Sequence, residues 1–223
     1  MWRRCSPAST GVTAMLRVAG RRGARGRPLG AHRCGGDARP RAPVSQRCSA
    51  SPGDAARLAG ADLSDFFALK WPSRRDLCLG IAALIALIAA GDALLYLSGH
   101  DLVTAFQLQS YTTAAAAGWV PAMFAAAILV APAGEEAMFR GFLFRGWARS
   151  EQSVWPAIIV ISVLWAMLHI QYDWTGILQI FIIGLFLGWM RWRSGSLVLT
   201  YLLHALFNLE GTIETIAVVH FAK

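Results

Sequence analysis

The chain has 223 residues, of which 56% are hydrophobic and only 15% are charged. A mean hydropathy of +0.46 argues against an ordinary soluble domain and favours a membrane protein. The formal net charge of +8 comes from one region, since residues 1–57 carry 12 Arg and 2 Asp whereas the rest of the chain carries 9 basic and 11 acidic residues. The basic region contains no recognisable nucleic-acid-binding motif, so we expect no nucleic-acid partner.

Residues 1–60 form a leader rich in Arg, Gly, Pro, Ala and Ser, without apolar periodicity. Such a segment cannot bury enough apolar surface to offset its ordering entropy, so we expect it to be disordered. Its Arg-rich, acid-poor composition also resembles an organellar transit peptide, and a solvated tail or a misassigned start are the alternatives. The leader contains Cys5, Cys34 and Cys48, and the spacing of these cysteines and Cys78 predicts neither disulfides nor a metal site.

Five apolar segments follow the leader. Residues 61–76 are expected to approach the membrane interface, and residues 77–223 to form a transmembrane helical domain. The predicted spans are residues 77–97, 119–147, 154–170, 174–190 and 196–221, and their apolar lengths are comparable with a hydrocarbon core of about 30 Å. The sequence therefore predicts an all-α membrane protein, a bundle of about five transmembrane helices.

Two glycines in the fourth predicted span lie on one helix face. Gly184 and Gly188 are four residues apart, and the absence of side chains would allow a neighbouring helix to pack closely against them. General tolerance of glycine in membrane helices explains the pair equally well.

The positions of the basic residues predict the orientation, because short loops rich in Lys and Arg stay in the cytoplasm. With five spans, seven basic residues fall on one side of the membrane and only Lys223 falls on the other. The seven are Lys70, Arg74, Arg75, Arg145, Arg149, Arg191 and Arg193. We therefore expect a cytoplasmic amino terminus, with short outer connections through Asp101 and Asp173. A bacterial inner membrane is the favoured location, and an organellar membrane is the alternative.

Charged and polar residues also lie inside the predicted spans. A charge at the centre of a bilayer costs roughly 2.5–3.5 kcal/mol on insertion scales, so each such residue is a candidate functional residue. Glu135 and Glu136 lie in the second span, His169 lies near the end of the third, and His204 and Asn208 share one face of the fifth. Three of the five spans thus carry groups capable of acid–base chemistry.

The spacing predicts that these groups lie at similar depths. If the turn between the second and third spans centres on Gln152, Glu135 and His169 each lie 17 positions from it. At 1.5 Å per residue, both would then lie about 20–25 Å from the turn, and His204 would lie about 15 Å from the next turn on the same side. The carboxylate and the two imidazoles are therefore expected to meet in one pocket.

Glu136 and Arg140 form a favourable pair four residues apart on one helix. We expect the guanidinium to neutralise the Glu136 carboxylate and to fix the helix face, which is a structural role. Glu135 is then the carboxylate left for chemistry.

At these residues the chain resembles the CAAX protease and bacteriocin-processing family, also called the abortive-infection or CPBP family. Three family motifs occur in order within residues 119–209: Glu135, Glu136 and Arg140 in the first, Trp165 and His169 in the second, and His204 and Asn208 in the third. The second motif usually begins with Phe. We expect the Trp in its place to change the packing volume behind His169 more than the chemistry.

The resemblance implies an intramembrane endopeptidase. In such an enzyme Glu135 and His169 activate a water molecule, while His204 and Asn208 stabilise the oxyanion. The family was long treated as zinc-dependent, and Glu135, His169 and His204 could supply three zinc ligands. We favour a metal-free glutamic mechanism, because Asn208 is a poor zinc ligand and the chain has no His-Glu-x-x-His motif.

The expected partners are the lipid bilayer and a membrane-associated peptide or protein substrate. We expect cleavage in a cavity open towards the cytoplasm. The competing interpretation is a non-catalytic membrane protein, in which the same polar residues form a structural network or an ion path between helices.

Overall fold

The computed structural model describes residues 62–221. The predictions for the leader, its three cysteines and Lys223 lie outside the described residues. Within residues 62–221 the chain forms seven helices and no β-strand, which confirms the all-α class. The helices are α1 (Leu63–Phe67), α2 (Arg74–Leu97), α3 (Ala105–Ala116), α4 (Val120–Trp147), α5 (Glu151–Met167), α6 (Trp174–Ser194) and α7 (Leu197–Phe221).

Four of these helices, α2, α4, α6 and α7, are long and apolar enough to cross a membrane. The fifth predicted span corresponds to α7, and the third corresponds to α5, which has 17 residues. At 1.5 Å per residue α5 is about 25 Å long, somewhat shorter than a typical hydrocarbon core. It ends at Met167 rather than at residue 170, so His169 lies in the turn that follows the helix.

Helix α3 was not predicted, because the connection through Asp101 was expected to be short. Its start is a capping box: the Thr104 side chain accepts from the Gln107 N–H, and Gln107 Oε1 accepts from the Thr104 N–H at 2.9 Å. Tyr111 of α3 is hydrogen-bonded to His220 of α7, with 2.9 Å between Oη and Nε2. The connection through Asp101 therefore contains a helix that packs against α7.

Helices α5 and α6 form the most extensively packed pair of the bundle. A Cβ atom at Gly184 would lie 3.0 Å from Ser162 Cβ and 3.1 Å from Trp165 Cε3, and one at Gly188 would lie 2.9 Å from Ile158 Cγ2. The close helix packing that these two glycines predicted is confirmed. Helix α2 joins the bundle in the same way, since a Cβ at Gly80 would lie 2.9 Å from Leu203 of α7.

Several basic residues meet at one end of the bundle. Arg145, near the end of α4, donates to the carbonyl oxygens of Asp65 (3.0 Å) and Phe66 (2.7 Å) in α1. Arg193 at the end of α6 lies 3.2 Å from Asp76 in the first turn of α2. We call this the basic end; which side of the membrane it faces stays a prediction.

The opposite end is formed by α3 and the loop before α6. There the Asp173 carboxylate begins α6 by accepting from the Gly176 N–H (2.9 Å) and from the Thr175 hydroxyl (2.8 Å). These hydrogen bonds hold the pKa of the Asp173 carboxyl below its usual value, because they stabilise the ionised form.

We expect Gly184→Ala to destabilise the protein relative to Gly146→Ala. Both substitutions gain helix propensity, but a Cβ at Gly146 meets no atom within 4 Å, whereas one at Gly184 presses on α5. Such overpacking costs about 1–3 kcal/mol, which corresponds to a difference in Tm of roughly 2–12 °C for a domain of this size. Thermal unfolding in detergent measures the difference, and equal Tm values for the two variants would contradict it.

Candidate active site

The buried carboxylate of Glu136 lies at the centre of the polar residues. Its side chain is 1% exposed, and Oε1 accepts from Arg140 Nη1 at 2.9 Å and from His204 Nδ1 at 3.0 Å. Arg140 is also 1% exposed, so the predicted pairing of Glu136 with Arg140 is present inside the bundle. The carboxylate thereby joins α4 to α7 through His204.

Arg140 extends this contact to α5 and α6. Its Nη2 donates to the carbonyl oxygen of Gly184 at 3.3 Å, and its Cζ lies 4.4 Å from the centre of the Trp165 ring. Arg191 of α6 donates in turn to the Arg140 carbonyl oxygen at 3.1 Å. A guanidinium at this depth is thus contacted by a carboxylate, a carbonyl and an aromatic face, while its Nε has no hydrogen-bond partner within residues 62–221.

Glu135 has a different environment from its neighbour. Its side chain is 29% exposed, and its Oε2 accepts a hydrogen bond of 2.5 Å from Trp165 Nε1. The same oxygen lies 3.9 Å from His204 Nε2. His204 therefore lies between the two carboxylates, with Nδ1 on Glu136 and Nε2 towards Glu135.

His169 is fixed by the end of α5. Its backbone N–H donates to the Ala166 carbonyl oxygen, and its Nδ1 lies 2.9 Å from the Trp165 carbonyl oxygen. Because a carbonyl only accepts hydrogen bonds, Nδ1 carries a proton, and Nε2 is the nitrogen with a free lone pair whenever the ring is neutral. An unprotonated Nε2 can accept a proton from water or bind a metal ion.

Asn208 compensates for an irregularity in α4. Residues 126–130 form a π-helical turn, in which Ala131 N–H bonds to the Ala126 carbonyl oxygen. The corresponding donor for Ala127 would be residue 132, which is a proline and has no N–H. Asn208 Nδ2 donates to the Ala127 carbonyl oxygen instead, at 2.8 Å. One amide hydrogen of Asn208 remains for another acceptor.

A cavity of about 490 Å³ connects these groups. Its lining includes Glu135, Trp165, His169, His204 and Asn208, together with residues of α3 and the first turns of α6. The structure thus brings all four predicted catalytic residues to one cavity. Glu136 and Arg140 lie behind it.

The cavity lies towards the end of the bundle opposite the basic end. It is lined by Leu95 near the end of α2, by Tyr172 before α6 and by Thr215 in the second half of α7. The cavity thus extends from the middle of the bundle towards the end opposite the basic residues. The cytoplasmic opening and the orientation of the chain stay predictions.

The expectation for Trp165 was wrong in its chemistry. We expected the replacement of Phe to change mainly the packing volume, yet the indole N–H donates to Glu135, which a phenyl ring cannot do. A usable signal was present in the sequence, because a tryptophan buried in a membrane helix needs an acceptor for its N–H. The depth estimate paired Glu135 with His169, whereas its direct partner on α5 is Trp165.

The three residues considered as zinc ligands are not gathered into a site. Zinc bonds N and O at about 2.0–2.2 Å, which brings its ligand atoms close together. Within residues 62–221, the trio whose potential ligand atoms all lie within 4.8 Å of one another is Asp92, Glu210 and Glu214, not Glu135 with the two histidines. A zinc site at Glu135, His169 and His204 would require their ligand atoms to lie closer together than they do here.

These observations define a helical bundle with a cavity lined by glutamate and histidine between its apolar helices. Residues 117–209 match the family described as Type II CAAX prenyl endopeptidase Rce1-like, and this segment includes all the site residues. The match covers less than half of the chain, and within this segment the chain is similar to the CAAX protease family, which confirms the resemblance that the three motifs indicated. With its four long apolar helices, the chain is an integral membrane protein.

A protein of Escherichia coli, described as an uncharacterized 24.3 kDa protein, is 33% identical to this chain over 78 residues. The similar region covers 34% of this chain and 36% of that relative, so the match spans about a third of each protein. No solved structure matches the chain.

Arg140→Met is expected to destabilise the protein strongly, because it leaves the buried Glu136 carboxylate without its cation. Breaking such a buried pair costs about 3–5 kcal/mol. Arg193→Met is the matched control, since it breaks an ion pair with Asp76 that is partly exposed. The Arg193 side chain is 25% exposed and the Asp76 side chain is 19% exposed. That loss should be about 1 kcal/mol or less. Chemical unfolding in detergent compares the two variants, and equal losses would contradict a structural role for the buried pair.

Proposed function

We propose that this protein is an intramembrane endopeptidase that hydrolyses peptide bonds of membrane-associated substrates by a metal-free glutamate and histidine mechanism. The similarity to the CAAX prenyl endopeptidase family supports this class of enzyme. One observation carries the mechanism: His204 contacts Glu136 at 3.0 Å and lies 3.9 Å from Glu135, at a cavity that His169 and Asn208 also line.

Glu135 is the general base in this proposal. Its partly exposed carboxylate can take a proton from a water molecule in the cavity, and the resulting hydroxide attacks the carbonyl carbon of the substrate. His169 assists through Nε2, because its Nδ1–H is held by the Trp165 carbonyl oxygen. Such base catalysis typically contributes 10²- to 10⁴-fold to the rate.

His204 and Asn208 stabilise the oxyanion in this scheme. With Nδ1 bonded to Glu136, Nε2 is the ring nitrogen left to donate to the tetrahedral intermediate. Donation from both ring nitrogens requires the cationic form of the ring, and the Glu136 carboxylate would then balance its charge. When the intermediate collapses, the C–N bond breaks and the proton held by Glu135 passes to the leaving amine. Donors oriented in advance are effective in a site with little water.

The structural residues give these groups a fixed geometry. Glu136 holds the His204 ring, and Arg140 holds Glu136 and contacts Trp165. The acid–base groups of α4, of α7 and of the turn after α5 are thus supported by side chains that are almost completely buried. Preorganisation of this kind is what hydrolysis without a metal ion needs.

Glu135→Gln is expected to abolish cleavage while leaving the protein folded, because glutamine keeps the side-chain shape but cannot accept the proton. The measurement is a proteomic comparison of peptide termini in membranes from cells that produce the wild type or the variant. Glu151→Gln is the matched control, since Glu151 is an exposed residue in the first turn of α5. It should give the wild-type set of new termini.

Tm values in detergent check that both variants fold. If Glu135→Gln and the wild type generate the same new termini, the glutamic mechanism is rejected. If the wild type itself generates no new termini relative to cells lacking the protein, the non-catalytic interpretation is favoured.

Metal analysis tests the zinc alternative. We expect purified, active protein to contain far less than one zinc ion per chain, and we expect chelators to leave cleavage unchanged. The measurement is elemental analysis together with an activity assay after dialysis against a chelator. One zinc ion per chain that is lost in His204→Ala would overturn the metal-free mechanism.

A further inference from the structure

Trp165 occupies an unusual position among the site residues. Its side chain is 1% exposed, and its N–H donates to Glu135 Oε2. Its ring lies edge-to-face against His169 at 5.4 Å and against His204 at 5.1 Å between ring centres. The Arg140 guanidinium lies 4.4 Å from the centre of the same ring. One indole thus contacts both imidazoles, the general base and the buried cation.

We propose that Trp165 is a positioning residue for Glu135, which orients the carboxylate for the attack of water through its indole N–H. The proposal rests on the proposed function, since it assigns to Glu135 the role of general base. It adds a residue that the motif, with Phe in this place, does not provide.

The carboxylate needs such a partner because Glu135 is partly exposed to the cavity and has a flexible side chain. A hydrogen bond to an ionised acceptor is stronger than one between neutral groups, and a setting with little water strengthens it further. With Oε2 held by the indole, Oε1 remains for the attacking water.

The indole itself cannot turn away. Gly184 permits α6 to approach the ring so closely that a Cβ there would lie 3.1 Å from Trp165 Cε3. The Arg140 guanidinium and the two histidine rings hold the other sides. The ring therefore presents its N–H in one fixed direction, which is the property required of a positioning group.

The hydrogen bond can be tested without any activity assay. In protein with ¹⁵N-labelled tryptophan in detergent, Trp165→Phe identifies the indole resonance of Trp165. We expect that proton to resonate downfield of a free indole N–H in the wild type and to move upfield in Glu135→Ala. Glu151→Ala should leave it unchanged. A Trp165 resonance that does not respond to Glu135→Ala would overturn the proposal.

The effect on the reaction is tested with a substrate found in the comparison of peptide termini. Trp165→Phe keeps an aromatic ring but removes the N–H, and we expect kcat to fall about 10- to 100-fold, as for a small misplacement of a catalytic group. KM should stay within about twofold, because substrate binding does not use the N–H. Trp155→Phe, on the half-exposed face of α5, is the control and should keep the wild-type kcat.

The outcomes separate this proposal from the proposed function. If the wild type is active and Trp165→Phe keeps its kcat, only the positioning role fails. The positioning role is also rejected if kcat falls equally in Trp165→Phe and Trp155→Phe, or if Trp165→Phe loses much of its Tm. In either case altered packing would explain the lower kcat. If the wild type cleaves nothing, the proposed function fails and the positioning role fails with it.

Discussion

The need to neutralise one buried carboxylate determines how the helices around the cavity are arranged. An ionised Glu136 inside an apolar bundle is tolerated only if cations or donors replace the water it has lost. Arg140 and His204 supply these contacts. Arg140 then requires its own partners, which it finds in the Gly184 carbonyl oxygen and the Trp165 ring. The contacts that neutralise this one charge thus involve helices α4, α5, α6 and α7.

The irregular backbone of α4 follows the same principle. A membrane-spanning helix can contain π turns and a proline only if neighbouring helices satisfy the carbonyl groups that lose their donors. Asn208 does so for Ala127 in the first π-helical segment of α4. Arg191 donates to the carbonyl oxygen of Arg140, which lies in a second π-helical segment, Ala137–Leu143. Asn208 therefore has a structural bond in addition to its proposed catalytic one, so its replacement would disturb both the backbone and the reaction.

The separation of the cavity from the basic end bears on how a substrate would enter. If the seven basic residues face the cytoplasm, the cavity extends from the middle of the bundle towards the other side of the membrane, where α3 lies. If the cavity instead opens to the cytoplasm, the distribution of basic residues does not determine the orientation of this chain.

The sequence by itself determined the helical membrane class, the candidate residues and the pairing of Glu136 with Arg140. These features depend on apolar length, on charge at depth and on spacing within one helix, all of which are local. The helix after Asp101 was missed although its Thr-x-x-Gln cap is local, since the segment was treated as a short connection. Only the tertiary structure decided that Trp165, rather than His169, bonds to Glu135. That choice depends on the residue at which α5 ends and on how closely α6 approaches α5 at Gly184. Both are set by contacts between helices, which a linear sequence does not contain.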